Sequence, residues 1–315
     1  METIKNIADE WGGLKNGPYL LSSLVKKSGL LQTGLASMAS HNAYDVQEVY
    51  IDKPSGQFVD LNGTYTVADN VNSKLQRTDV KTCVIPLELD PKVGEGLPNG
   101  INGYISNKMP AYLEGLGQSV GAQAVYGLDS DAEGFEGIRK YCTDNSRAAS
   151  AGTDASTNYT SILFVRWDAQ GMTWIFNQDS AANPMGMFNV VVKPETTIAP
   201  SSGTRKDVIP IKVYADLALK IADPICVYSL VNVKLGTNDV TVTDLEAALN
   251  TIKADGSTFI YCNRNGLASI NKLKDANLQM VGSDGDYNTI VKSFNGIPIV
   301  IDENITDTET FVTVS

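Results

Sequence analysis

The sequence contains few of the residues on which enzyme catalysis most often depends. Its 315 residues include a single histidine, His41, in the segment SHNAYD, and they contain no GxxxxGK[ST] phosphate-binding loop. A Ser-His-Asp or Cys-His mechanism would have to use that histidine, and no nucleophile elbow surrounds it. We therefore predict no catalytic residue and no cofactor, and we expect His41 to be a solvated loop residue.

The cysteines and acidic residues do not form a recognisable metal site. Four cysteines stand far apart without a CxxC pair: Cys83, Cys142, Cys226 and Cys262. Structural metal sites usually contain at least one close pair, and disulfides belong to oxidising compartments. The acidic run that begins at Asp129 imitates a calcium loop, but its twelfth position is Lys140, where a bidentate Glu is required. We predict no metal, no disulfide, and four buried or half-buried cysteines.

Long apolar runs and an excess of positive charge are also missing. No window approaches about 18 uninterrupted apolar residues, so no membrane span is predicted. The N-terminus lacks the apolar core of a signal peptide, which predicts a location inside the cell. With 25 Lys+Arg against 36 Asp+Glu, the net charge is −11. Proteins that read nucleic acids need Lys/Arg clusters, so sequence-specific binding to DNA or RNA is not expected.

The first segment, residues 1–43, is predicted to be an arm without a core of its own. Its helical fragments are broken by Gly13 and Pro18, and a second fragment places Leu20, Leu21 and Leu24 on one face. A helix this short does not fold alone in water. Those leucines must therefore contact another surface, in this chain or in a neighbour.

The second segment, residues 44–92, is predicted to be a long β-hairpin excursion. Residues 46–51 have the alternating side-chain pattern of a strand, and residues 58–67 continue as an extended segment. Residues 69–78 are polar, and residues 80–89 are predicted to form the returning strand. A two-stranded excursion is marginally stable at best in water, which again implies a partner surface. We predict that Tyr50, Phe58 and Tyr65 contact that partner.

The clearest helix is predicted over 109–126. Met109, Leu113, Leu116 and Val120 recur at helical spacing, Pro110 falls in the first turn, and Gly127 stands where a C-terminal cap belongs. Beyond it, residues 161–166 and 172–177 are predicted to pair as a hairpin around 168–171. Residues 188–193, 209–218 and 222–233 are predicted as further strands, the last two with the apolar intensity of a buried sheet.

The last part of the chain is predicted to be mixed α/β. Thr243 and Glu246 have capping-box spacing, residues 258–262 form a short buried strand, and Asn265 can cap a second helix that ends near Leu273. Asn295-Gly296 is the strongest hairpin signal in the sequence, between strands 289–294 and 297–302. A final strand is predicted over 309–314.

Five motifs in this order resemble tailed-bacteriophage major capsid proteins of the HK97-like fold, in a podovirus-like branch. They are MPAYLEGLGQSVGAQAVYG, EGFEGI, SILFVRWDAQGMTWIFNQDS, TFIYCNRNGLASINKL and FNGIPIVIDENITDTET. The resemblance implies an α+β capsid fold with a long spine helix at about 109–126. The implied regions are an N-terminal arm (1–43), an extended loop (44–92), a peripheral domain (93–234), an axial domain (235–290), and a closing hairpin with a C-terminal strand (291–315).

The resemblance also implies a structural function. The chain would be a coat protein that self-assembles from pentamers and hexamers into an icosahedral head around double-stranded DNA, without sequence-specific binding. A separate scaffolding protein, a portal and a decoration protein are the implied partners, with assembly in the host bacterial cytoplasm. The alternatives are an encapsulin-type compartment shell and a tail or adaptor protein. From a different class, an acidic α/β hydrolase or nucleotide enzyme is disfavoured by the missing motifs.

Overall fold

The computed structural model describes most of the chain, including every element discussed below. The described residues are 28–41, 43–50, 56, 58–64, 73–92, 96, 100–153, 157–177, 188–198, 205–273 and 293–314. The helices within this part are α1 (Gly29–Thr33), α2 (Gly100–Tyr126), α3 (Ile138–Asp144), α4 (Val242–Thr251) and α5 (Arg264–Lys272). The strands are β1 (Ala36–Met38), β2 (Tyr44–Tyr50), β3 (Ser73–Asp79), β4 (Lys81–Leu89), β5 (Ala148–Ser150), β6 (Thr157–Arg166), β7 (Met172–Phe176), β8 (Phe188–Val192), β9 (Thr196–Ile198), β10 (Lys206–Ile221), β11 (Val227–Val233), β12 (Thr258–Cys262), β13 (Ser293–Phe294), β14 (Ile297–Ile301) and β15 (Glu309–Thr310).

The strands form two sheets and one isolated ribbon. The first sheet has the order β1-β7-β10-β4, with β8 and β9 also paired to β10. The second has the order β13-β14-β12-β6-β11-β5, with β15 also paired to β6. Strands β2 and β3 pair only with each other among the described strands. This mixed architecture of helices and sheets confirms the predicted α+β class.

Helix α2 is longer than the prediction of 109–126. It begins at Gly100, and Pro110 lies inside it rather than in its first turn. An internal proline removes one helical hydrogen bond and costs about 3 kcal/mol. The helix continues through it because Met109 and Leu113, on either side, are buried in the core against the first sheet. The predicted end is confirmed, since Gly127 follows with a φ of 62°.

Two apolar cores lie on the two sheets. The first packs α2 against β4 and β10 and α3 against β6 and β11, and includes the fully buried Leu30, Leu31, Leu116 and Trp174. The second packs α4 and α5 against β6, β11 and β12. Cys142, Cys226 and Cys262 are buried and Cys83 is half-buried, all as free thiols, which confirms the predicted role of the cysteines as packing residues.

The predicted hairpin of 161–166 with 172–177 is wrong. β6 pairs with β11 and β12 in the second sheet, whereas β7 pairs with β1 and β10 in the first. β6 is buried at seven consecutive positions, and a central strand of this kind needs a partner on both edges. The turn between β6 and β7 therefore carries the chain from one sheet to the other. Strands on both sides of the predicted domain boundary at 234 share the second sheet, and the domain ranges stay a prediction.

The predicted pairing in the extended loop is also wrong. Strands form close to both predicted strands of the hairpin, at β2 and β4. However, β4 pairs with β10, and β2 pairs with β3. β3 lies in the stretch 69–78 that was predicted to be a polar connection. A two-stranded ribbon that is exposed to solvent does not need alternating apolar residues. The polar sequence of β3 therefore gave no recognisable strand signal.

Near the C-terminus, the turn, caps and strand predicted from local sequence agree better with the structure. Asn295 and Gly296 have φ values of 50° and 80° in the hairpin between β13 and β14, which confirms the predicted turn. The caps are shifted by two residues, because Thr241 with Asp244 forms the capping box of α4 and Asn263 caps α5. The predicted strand 309–314 forms its ladder only at Glu309–Thr310.

Candidate assembly surfaces

The β2–β3 ribbon is a two-stranded antiparallel sheet that is separate from the two main sheets. Its register runs from Tyr44 opposite Asp79 at the root to Tyr50 opposite Ser73 at the far end. Since side chains alternate along a strand, the ribbon has one face toward the body and one face away from it. The two faces differ in chemistry, and this difference determines which of them can accept a partner.

The inner face of the ribbon is polar and touches the body through directional bonds. Gln76 Nε2 donates to the carbonyl oxygen of Ile221 at 2.9 Å, and Gln47 Nε2 donates to that of Gln170 at 2.6 Å. Asp45 accepts from Lys220 Nζ at 2.9 Å. The described side chains of the ribbon do not belong to either apolar core. The ribbon is therefore attached to the body by hydrogen bonds and one ion pair rather than by apolar packing.

The outer face of the ribbon carries most of its apolar groups, while Val49 lies on the inner face. Tyr44 and Val46 are half-buried there, and Leu75 is 71% exposed. Arg77 lies over the Tyr44 ring, with 4.2 Å from its guanidinium carbon to the ring centroid. In a self-contained hairpin the apolar face would be turned toward the body. Within the described residues, this apolar group of the outer face is not covered by either core.

The segment 58–64, which lies between the far ends of the two strands, is the most exposed apolar part of the described chain. Phe58 and Leu61 are fully exposed, and Val59 is half exposed. A turn holds them, since the Gly63 amide donates to the carbonyl oxygen of Asp60 at 2.8 Å. We name residues 58–64 the tip segment. Two adjacent large apolar side chains that touch no core are a typical anchor for a partner surface.

The structure places the sequence-predicted contact residues as follows. Phe58 lies in the tip segment, and the backbone of Tyr50 closes the ribbon ladder opposite Ser73. Leu20, Leu21, Leu24 and Tyr65 lie outside the described residues, so their roles stay predictions. His41 is exposed and stacks on Tyr44, at 4.6 Å between ring centroids, which confirms a solvated position near the ribbon root.

The predicted arm, residues 1–43, is wrong from residue 28 onward, because this part of it is buried in the first core and adds β1 to the first sheet. Ser28 Oγ and the Leu30 amide both donate to Asp302 Oδ2 at 3.0 Å. The Leu30 carbonyl oxygen accepts from Trp174 Nε1 at 3.2 Å. Ser28 and Leu30 are fully buried, so the chain is fixed to the body at these residues. Any exchange of the predicted arm between copies would involve residues before this point.

The C-terminal segment is held by a buried ionic network. Glu309 Oε2 lies 3.4 Å from Arg139 Nε and accepts from Ser161 Oγ at 2.5 Å, while Glu309 Oε1 accepts from Tyr126 OH at 2.8 Å. Burial raises the pKa of Glu309, against the opposing effects of Arg139 and the two hydroxyl donors. Burial also raises the pKa of Tyr126, and the nearby Glu309 carboxylate raises it further. This network joins α2, α3 and β6 to β15.

Sequence reasoning missed the buried charged residues, including Asp45, Lys220 and Asp302. A signal for Lys220 exists, because it interrupts the apolar run LALKIA, and a lysine in a buried strand requires a partner. The identity of that partner, 175 positions away at Asp45, carries no local signal. Within the described residues, no cluster of His, Cys, Asp and Glu could hold a metal ion, and no helix is long and apolar enough to cross a membrane.

Comparisons with known proteins agree on one class. A family model described as "Major capsid protein GP7" matches residues 100–313, more than half of the chain. The solved structure of bacteriophage Epsilon15 is similar at 17% identity over 88% of this chain and 87% of that chain, with a TM-score of 0.59. The bacteriophage JBD30 capsid is similar at 10% identity over 87% and 90%, with a TM-score of 0.52.

Other comparisons add less. An encapsulin complex from Synechococcus elongatus matches at 10% identity over 67% of this chain and 89% of that chain, with a TM-score of 0.40, too low to support an argument. No protein in the curated set matches this sequence. The two stronger structural similarities confirm the predicted HK97-like capsid fold.

Proposed function

The chain belongs to the major capsid protein GP7 family and is a shell subunit of a tailed-phage virion, and from this premise we propose how it assembles. Copies of the chain form pentamers and hexamers, which close into an icosahedral head around double-stranded DNA. Its role is structural, without a catalytic step. The ribbon and tip segment of each copy lie on a neighbouring copy.

One observation carries this proposal: the ribbon presents Tyr44, Val46 and Leu75 on the face away from its own body. Tyr44, Val46 and Leu75 belong to neither core within the described residues, and Phe58 and Leu61 of the tip segment are fully exposed. Burying a large apolar side chain contributes about 1.5–3 kcal/mol. Two tip anchors repeated at every subunit contact would supply much of the free energy of assembly.

The charge of the chain supports a shell that holds DNA without binding it tightly. The net charge is −11, and a wall with excess acid does not capture a polyanion during packaging. We infer that genome contacts are weak and independent of sequence. A separate scaffolding protein, a portal and a decoration protein are the proposed partners, and the host bacterial cytoplasm is the proposed site of assembly.

The first test is assembly in a bacterial host. The chain would be expressed alone and with its candidate scaffolding protein, and the products separated by size-exclusion chromatography and viewed by negative-stain microscopy. We expect closed shells, or rings of five and six subunits. A compact monomer that persists in the presence of the scaffold would contradict the proposal. Rings or tubes that never close would favour a tail or adaptor role instead.

A tip variant tests the observation that carries the proposal. Phe58→Ser with Leu61→Ser removes the apolar anchors from a segment that touches no core, so the subunit should keep its melting temperature while assembly falls strongly. Thr64→Ser is the matched control, since Thr64 is exposed in the same segment and the change removes only one methyl group. Normal shells from the double variant would exclude the tip segment as an assembly contact.

A further inference from the structure

The ribbon root contains the one buried ion pair that joins the ribbon to the body within the described residues. Asp45 and Lys220 retain only 9% and 10% of their side-chain exposure, and Asp45 Oδ2 lies 2.9 Å from Lys220 Nζ. By contrast, the Arg77–Asp79 pair on the ribbon itself is mostly exposed. A buried pair of this kind is strongly destabilised when one partner is lost, because a charge is left without compensation.

Asp45 connects three parts of the chain through its two carboxylate oxygens. Oδ2 accepts from Lys220, near the end of β10, and Oδ1 accepts from the backbone amide of Ser40 at 3.0 Å. Ser40 Oγ in turn accepts from the Val46 amide at 3.0 Å. The carboxylate therefore fixes the direction in which β2 leaves the segment before it. Lys220, together with the Ser40 bonds, holds the pKa of Asp45 below its usual value despite burial.

Among the described residues Lys220 forms its ion pair with Asp45, while the carboxylates of Glu48, Asp168 and Asp223 line the same groove without an ion pair to Lys220. It lies between Leu219 and Ile221, which are both buried, and its strand neighbour across the ladder is Thr173. A charged lysine in this position is stable when it meets Asp45 and unfavourable when it does not. The pair therefore favours one angle of the ribbon over others, instead of permitting a continuous range.

The space below the ribbon would permit another angle. A groove of about 860 Å³ separates residues 45–49 from the turn 168–171 and the segment 222–225. Apart from the ion pair and the two bonds with Ser40 at the root, the side-chain bonds that the structure shows from the ribbon to the body are those of Gln47 and Gln76 to carbonyl oxygens. Water can replace such bonds at low cost, which leaves the ion pair as the main restraint on rotation.

We propose that the Asp45–Lys220 ion pair, which we name the root ion pair, fixes the angle of the ribbon and thereby sets the curvature at which neighbouring copies join. This inference rests on the proposed function, because curvature has meaning only in a shell. Loss of the pair leaves the body folded, lets the ribbon rotate about its root, and replaces uniform closed shells with products of irregular curvature.

Two variants test the root ion pair in the isolated subunit and in assembly. Lys220→Met keeps the length of the side chain and removes its charge, and Asp45→Asn keeps the shape of the carboxylate and removes its charge. We expect amide exchange in peptides covering 40–50 and 73–80 to become about tenfold faster, while a peptide covering 258–262 in the second sheet is unchanged. In assembly we expect sheets, tubes or shells of mixed size.

Lys212→Met is the matched control, since Lys212 is an exposed lysine on the same strand. The double variant Asp45→Lys with Lys220→Asp restores an ion pair and should recover both slow exchange and uniform shells, at least in part. Unchanged exchange in Lys220→Met and Asp45→Asn would overturn the proposal, and so would faster exchange together with normal shells. If the unaltered chain forms no shells, the proposed function fails, whereas the exchange measurement still decides whether the pair restrains the ribbon.

Discussion

Ser28 and Asp302 are 274 positions apart, yet the Ser28 hydroxyl donates to the Asp302 carboxylate at 3.0 Å in a fully buried site. The other oxygen of that carboxylate accepts from the amide and side chain of Asn304, at 2.9 and 2.8 Å. One side chain therefore joins the start of the described chain to the segment after β14. The junction fixes the point from which the predicted arm can leave the body.

The first prediction concerns this junction. Asp302→Ala leaves the buried donors of Ser28 and Leu30 without an acceptor, and each unmet buried group costs about 1–3 kcal/mol. We expect the free energy of unfolding of the isolated subunit to fall by about 3 kcal/mol or more, measured by urea denaturation. Asp307→Ala, at an exposed position, is the control and should change it little. Equal effects of the two variants would show that the junction is not a stabilising contact.

The second prediction concerns pH and Glu309. Burial raises the pKa of Glu309 in the folded chain, so its contribution to stability is fully present below the unfolded pKa of about 4.3 and is lost as pH rises through the folded value. Relative to Glu309→Gln, the unaltered subunit should therefore lose stability as pH increases across that interval. Thermal unfolding at a series of pH values measures this difference.

The matched control for Glu309 is Glu246→Gln, since Glu246 is exposed on α4. This control shows how much of the Glu309→Gln effect comes from removing one exposed carboxylate. A Glu309→Gln profile parallel to that of the unaltered chain would mean that Glu309 titrates as an ordinary surface carboxyl.

The third prediction compares three leucines that are predicted to contact a neighbouring copy with one leucine that is buried in the core. Replacing Leu20, Leu21 and Leu24 with serine should leave the melting temperature of the isolated subunit unchanged and should reduce assembly, because these leucines are predicted to contact a neighbour. Leu30→Ala should instead lower the melting temperature of the isolated subunit. Leu30 is fully buried in the first core, so its truncation should cost about 2–5 kcal/mol of folding stability.

The melting temperature and the yield of shells, measured on the same preparations, distinguish these two effects. A triple serine variant that melts much earlier would show that the arm leucines pack on their own body. In that case the arm would be a part of the subunit fold, and the assembly role would pass to the ribbon and tip segment alone.

The features that the sequence predicts well are those whose cause is local. The turn at Asn295-Gly296, the end of α2 before Gly127 and the strand 258–262 each depend on a few adjacent residues. The partners of β6 and of β7 depend on which strand edges are available in the complete sheets. The prediction that these two strands pair with each other relied on their closeness in sequence, and it was wrong. Local signals therefore predict elements better than they predict neighbours.

The candidate assembly surfaces show the same limit. Phe58 was predicted as a contact residue because an apolar side chain stood in a segment without a core. The root ion pair was not predicted, since Asp45 and Lys220 are 175 positions apart, and the apolar run around Lys220 indicates a buried lysine without identifying its partner. Buried charges are recognised only when the fold shows that both partners are away from water.

The last prediction concerns Asn232, whose side chain forms with the C-terminal segment the two backbone hydrogen bonds that a neighbouring strand would otherwise form. Its Nδ2 donates to the Val312 carbonyl oxygen at 2.7 Å and its Oδ1 accepts from the Val312 amide at 2.9 Å, while its own φ is 60°. Asn232→Gly removes both bonds but tolerates that φ, whereas Asn232→Ala removes both and adds backbone strain of about 1–2 kcal/mol. We expect faster amide exchange at Val312 in both variants and a lower melting temperature in the alanine variant than in the glycine variant. A glycine variant that exchanges Val312 at the original rate would show that the strand pairing of Glu309 alone holds the C-terminal segment.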